Sequence, residues 1–150
     1  MSGFHPTYLA LHTWNRWATL LVPLAAALAG AWGWKYNRPY TRNYRLLAWT
    51  SVWISSLQAA LGFVLHLYYG DYMKALWNTS GAAIKNQEVR FFGVEHALAM
   101  FLAIGLVHLG AARARKAGDD TLSQRWLAWS HAAALALMLL SLPWWRPWWR

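Results

Sequence analysis

Phe91-Phe92-Gly93-Val94-Glu95-His96-Ala97-Leu98-Ala99-Met100-Phe101-Leu102-Ala103-Ile104-Gly105-Leu106-Val107-His108-Leu109-Gly110-Ala111-Ala112 is the stretch on which the reading of this chain turns. Its only formal charge is Glu95. About 22 helical residues rise roughly 33 Å, enough to cross a bilayer. Two histidines lie within it, His96 about a turn from one end and His108 about a turn from the other. Ionisable groups are costly inside a membrane, so they turn to a bundle interior and mark a functional site.

The rest of the chain has the same character. Apolar residues make up 58% and charged residues 13%, a balance foreign to soluble domains of 150 residues. The modest mean hydropathy reflects 13 Trp and 7 Tyr, which favour membrane interfaces. Their placement forms a belt: Tyr8, Trp14 and Trp17 against Trp32, Trp34 and Tyr36; Tyr44, Trp49 and Trp53 against Tyr68 and Tyr69; Trp126 and Trp129 against Trp144 and Trp145. Four spans are expected, at about 8–34, 46–69, 91–112 and 126–145. Asn37-Arg38-Pro39 separates the first two, and Gly118-Asp119-Asp120 the last two. About twenty residues, with room for a short surface helix, join the second to the third, and Pro143 and Pro147 end the fourth. The expected fold is a single all-α integral membrane domain, an antiparallel four-transmembrane-helix bundle.

A net charge of +9 resembles a nucleic-acid signal, but its distribution reads as topology. Lys35, Arg38, Arg42 and Arg45 fill one short loop; Arg113, Arg115, Lys116 and Arg125 fill another, with Asp119 and Asp120 between them. The positive-inside bias puts both loops on the inner side of a bacterial plasma membrane and both termini outside. There is no cysteine for a disulfide or thiolate site. The start of the chain lacks a basic n-region and a small-residue cleavage site, so the first span is expected to be retained.

Helical spacing picks out inward faces. His12, Arg16, Thr19, Pro23, Ala26, Gly30 and Gly33 share one stripe of the first span, and Ser51, Ser55, Gln58, Gly62 and His66 one of the second. Packing alone accounts for the small residues, and Gln58 reads as interhelical glue. The histidines need more. Measured from the basic ends at 1.5 Å per residue, His108 and His131 stand roughly 8 Å in, His96 about 26 Å, and His66 and His12 about 31 to 33 Å. That makes an inner pair and an outer trio; His5 precedes the spans. Imidazoles on facing helices with small neighbours are what a haem iron requires. His96 and His108 diverge by about 120° around their helix, which suits two sites rather than one. Zinc or copper at the trio lacks further ligands. Glu95 and Arg16 are candidates for an ion pair, with Arg16 also placed to offset a haem propionate.

Leu11-His12-Thr13-Trp14-Asn15-Arg16-Trp17, Arg90-Phe91-Phe92, Val94-Glu95-His96 and the closing Leu142-Pro143-Trp144 together resemble small four-span bacterial membrane proteins labelled cytochrome b-like. The resemblance covers nearly the whole chain and implies a b-type haem, with His12 and His96 the best-matched residues. Where that family leads one to expect a histidine this chain has Ser56, leaving His66 as the ligand from the second span. His131 is particular to this sequence. A weaker likeness is to one half of haem A synthase. The expectation is thus a membrane b-type cytochrome subunit carrying one or two haem b, with His96, His12, His108 and His131 as iron ligands. It would pass electrons to other membrane subunits of a redox complex, a quinone being a further candidate. No nucleotide loop, nucleophile or substrate pocket marks a stand-alone enzyme. The rivals are a cofactor-free structural or assembly subunit of a respiratory or photosynthetic complex, and a pigment-binding subunit. A reporter fused after Arg150 should be active only on the outer side; cytoplasmic activity would invert the orientation.

Overall fold

The computed structural model describes residues 5–67, 70–79 and 82–145, with the side chain of His5 excepted. Tyr68, Tyr69, Arg146, Pro147 and Arg150 lie outside the described residues. Those described are helical, with no strand among them. The long helices are α1 (His5–Lys35), α2 (Arg42–Leu67), α5 (His96–Lys116) and α6 (Asp120–Leu140). Between α2 and α5 lie the surface helix α3 (Asp71–Asn78), a 3₁₀ turn (Ala82–Lys85), the single turn α4 (Gln87–Arg90) and a π-helical turn (Phe91–Glu95).

Three helices are long and apolar enough to cross a membrane: α1, α2 and the continuous stretch Gln87–Lys116. Their surfaces agree, for Trp14, Trp53, Phe63 and Phe101 are each more than 60% exposed while Ser51 and Ser55 are fully buried. In water that arrangement would be inside out; in lipid it is the expected one. α6 is not among the three, because Ser123, Gln124, Arg125 and His131 dilute its apolar run. Its burial pattern is nonetheless the same: Gln124 and His131 are buried, Trp129 and Leu140 exposed.

The expected limits of α6 need correction at both ends. It begins at Asp120 rather than at 126, because Asp119, in extended conformation, accepts the backbone N–H groups of Thr121 and Leu122, both at 3.3 Å. It ends at Leu140 rather than 145: the N–H of Ser141 folds back to Leu137 O at 3.1 Å and Met138 O at 3.2 Å, ahead of Pro143. The break after α1 comes where expected. Asn37 takes a left-handed φ of 48°, and the N–H of Arg38 closes on Gly33 O at 2.9 Å.

α1 packs against α2 and α6, and α5 against α2 and α6. The basic loops meet at one end: the Tyr40 N–H donates to Asp120 Oδ1 at 2.9 Å, and Gln124 Nε2 to Arg38 O at 3.5 Å. Two small-residue seams set the helix spacing. Gly30 of α1 lies on the backbone of α6, where an added Cβ would stand 2.6 Å from Ala128 N and 2.9 Å from Gln124 O. Gly110 of α5 lies against Ser130 of α6. Above and below these seams the core fills with Ala103, Val107, Ala134 and Met138 in one layer and Ala26, Ala48, Ala114 and Leu127 in another. Small side chains let the backbones approach closely, the main source of attraction between helices in lipid.

Replacing Gly30 by Ala should therefore force α1 from α6 and cost about 1–3 kcal/mol. Gly105→Ala, with open space at its Cβ, should be neutral or stabilising by up to about 1 kcal/mol. Unfolding in detergent by titration with a denaturing surfactant compares the two.

Candidate functional site

The end opposite the basic loops holds a cluster of polar side chains in apolar surroundings. Its centre is Gln58, buried on α2. Asn15 Nδ2 donates to Gln58 Oε1 at 2.9 Å and also to Ile54 O at 3.3 Å. With its oxygen so engaged, Gln58 turns its amide nitrogen to His12, donating to the His12 carbonyl at 3.1 Å and to the ring Nε2 at 3.3 Å. His12 Nε2 is therefore an acceptor, and the proton sits on Nδ1, which is buried without a hydrogen-bond partner. Gly62 makes room for this ring; a Cβ there would lie 3.2 Å from His12 Cε1. The interhelical role expected of Gln58 is thus present, with Thr19 Oγ1 bracing Asn15 through its carbonyl at 3.0 Å.

His96 begins α5 just after the π turn. The N–H of His96 reaches Phe91 O, a five-residue closure. This stacks Phe91 near the His96 ring, with centroids 5.7 Å apart. The imidazole Nδ1 lies 2.8 Å from Ser141 O. A carbonyl can only accept, so Nδ1 carries a proton, and in the neutral imidazole Nε2 then keeps its lone pair. This is the tautomer of histidines that bind metal through Nε2 while their other nitrogen donates to a carbonyl. Phe92, at 6.2 Å between centroids, and Trp145, at 4.6 Å from Phe91, complete an aromatic surround.

The structure brings the outer histidines together. His12 and His66 each lie near His96, and Arg16 lies near both His12 and His96. Among the described residues nothing hydrogen-bonds the His66 ring. Arg16 lies over Trp17, its guanidinium carbon 5.5 Å from the ring centroid. Glu95 does not join them. It is exposed and paired with Arg90, Nε to Oε1 2.7 Å, not with Arg16. The π turn explains this: its wider step gives His96 the inward place that an α-helix would give the residue four beyond Phe91, which is Glu95.

The inner pair is divided. Ser130 Oγ donates to Trp126 O at 2.6 Å, so its oxygen accepts from His131 Nδ1 at 3.1 Å. His131 is fully buried, and its lone-pair-bearing Nε2 has no partner. His108 is exposed and turns to α2. There Ser56, whose hydroxyl donates to Val52 O at 2.7 Å, accepts from His108 Nε2 at 3.0 Å. One imidazole is thus in the ligand tautomer inside the core, the other in the opposite tautomer at its surface. Ser56 serves as the hydrogen-bond partner of His108. Among the described residues no group of three or more His, Cys, Asp or Glu side chains could hold a metal ion.

No family model, curated protein or solved structure matches the chain. Replacing Gln58 by Leu should remove one partner of the Asn15 amide and of the His12 carbonyl and leave the His12 ring Nε2 without its donor, costing on the order of 1 kcal/mol. Asn15→Ala in the same background should then cost less than it does alone, a coupling that a double-mutant cycle in detergent measures.

Proposed function

We propose that this chain is a small membrane-embedded haem protein, a b-type cytochrome subunit that transfers electrons within a larger redox complex. The observation that carries the proposal is the His96–Ser141 hydrogen bond, which engages Nδ1 and leaves Nε2 as the nitrogen that could bind a metal. A haem b bound there would supply a reversible one-electron carrier. His96 and His12 would hold its iron. Of the two Gln58 contacts, the 3.3 Å one to the His12 ring would have to be given up for this, while the 3.1 Å bond to the His12 carbonyl could remain. Arg16, a neighbour of both rings, is the cation that would offset a propionate charge. His66 is the alternative second ligand, its ring without a hydrogen bond among the described residues. An inner haem on His108 and His131 would require His108 to leave Ser56 and turn inward.

The architecture proposed is an antiparallel bundle of four membrane spans. Its support is that α6, although less apolar than the other three, buries its polar face against α1 and α5 and exposes an apolar one. The basic loops then face the cytoplasm of a bacterial cell and the histidine cluster the outer half of its plasma membrane. An electron partner docks from a neighbouring membrane subunit or as a quinone.

A second reading, a cofactor-free structural or assembly subunit of a respiratory or photosynthetic complex, is favoured by the His12 ring being already held by Gln58. The reduced-minus-oxidised absorption spectrum of the purified protein separates them. Split haem bands are expected; their absence from protein made with ample haem supports the second reading, and chlorophyll bands a pigment-binding one. His96→Leu should abolish the outer low-spin signal, His12→Leu should abolish it or convert it to high spin, and His66→Leu should change it less. An unaltered spectrum in the His96 variant would end the assignment, and loss with His66 but not His12 would exchange the second ligand.

A further inference from the structure

The basic end carries charge that the protein does not itself neutralise. Its two loops and the adjoining helix ends hold eight basic side chains against two acids, Asp119 and Asp120. Both acids are engaged, Asp119 in capping α6 and Asp120 in accepting the Tyr40 N–H. Among the described residues none of the eight cations forms an ion pair. Four are seated on aromatic faces instead. Arg125 lies 5.1 Å from the Trp34 centroid, Lys35 5.4 Å from Tyr36, Arg113 5.5 Å from Trp126 and Arg115 5.8 Å from Trp49. Such stacking uses the flat face of a guanidinium and leaves its N–H donors for an oxygen acceptor. All four cations are exposed.

We infer that this ring of aromatic-seated cations is a binding surface for the phosphate headgroups of anionic phospholipids. Its shape favours lipid over an acidic protein. The aromatic partners come from α1, α2 and α6 and the stacked cations from α1, α5 and α6. The ring thus circles the helix ends, whereas a docked protein would meet one side. It also stands where the apolar spans stop, the depth at which indole rings settle and phosphates lie. Basic side chains there gain about five-fold in affinity each for an anionic surface. The inference rests on the membrane setting and on no cofactor.

The test uses the full chain in a neutral detergent, titrated with phosphatidylglycerol or phosphatidylcholine. Bound lipid is counted by native mass spectrometry, and the unfolding midpoint is followed by tryptophan fluorescence. Phosphatidylglycerol should bind more tightly and raise the midpoint, and salt should erase the difference. Arg113→Gln, Arg115→Gln and Arg125→Gln should each weaken phosphatidylglycerol about five-fold, while Lys85→Gln, away from the ring, should not. Salt dependence in the unaltered chain serves as the readout should a variant fold poorly. Equal binding of the two lipids, or a preference that survives all three substitutions, overturns the inference. So does equal lipid binding accompanied by salt-reversible capture of polyglutamate through the same arginines, which would assign the ring to an acidic protein.

Discussion

A polar group carried into hydrocarbon must find its partner within the protein, and the Gln58 amide meets that demand at both its oxygen and its nitrogen. Asn15 fills the oxygen; the carbonyl and ring of His12 fill the nitrogen. These bonds fix α1 against α2 in both height and rotation, because moving either helix by one residue would leave several groups unpaired. With α1 so oriented, Gly30 and Gly33 face α6, and the Gly30 seam admits its backbone. α6 then presents Ser130 to Gly110 of α5, and the His108–Ser56 bond returns the circuit to α2. Dispersion along the seams supplies attraction, but the polar bonds choose which faces meet.

Much of this is legible in spacing alone. The stripes through Thr19, Ala26 and Gly30 and through Ser51, Ser55 and Gln58 are buried faces in the structure. The angle between His96 and His108 also comes from helical pitch, one reaching α6 and the other α2. The features that spacing does not record are local. Asp119 sits in a polar turn by composition, yet an aspartate before a helix-compatible run is also a capping signal. The π turn has no sequence signature beyond Gly93, so periodicity gives no sign that Glu95 pairs with Arg90 rather than Arg16. The tautomers of His96, His108 and His131 depend on acceptors 45 or 52 residues away or on a neighbour's own bonds, and no periodicity records those.

The two ends of the molecule solve opposite problems. At the histidine end, polar atoms are gathered and paired within the protein through Gln58, Asn15 and the carbonyl of Ser141, while His12 Nδ1 and Ser55 Oγ stay buried without a partner among the described residues. At the basic end, charges are held apart on aromatic faces and turned outward, to be satisfied by what surrounds the protein.

The π turn ties site and fold together. In an uninterrupted α-helix Phe91 would share its face with Glu95, and a carboxylate would be carried to the inward face, where ionisable groups are costly. The five-residue closure advances the phase by about one residue, or 100°. His96 takes the inward position beside Phe91, and Glu95 swings to the surface, where Arg90 meets it at 2.7 Å. The Nδ1 of His96 then falls 2.8 Å from the carbonyl of Ser141, a group exposed for bonding because α6 has just ended. A break in one helix and the terminus of another are thus used jointly to hold a single neutral imidazole in one tautomer.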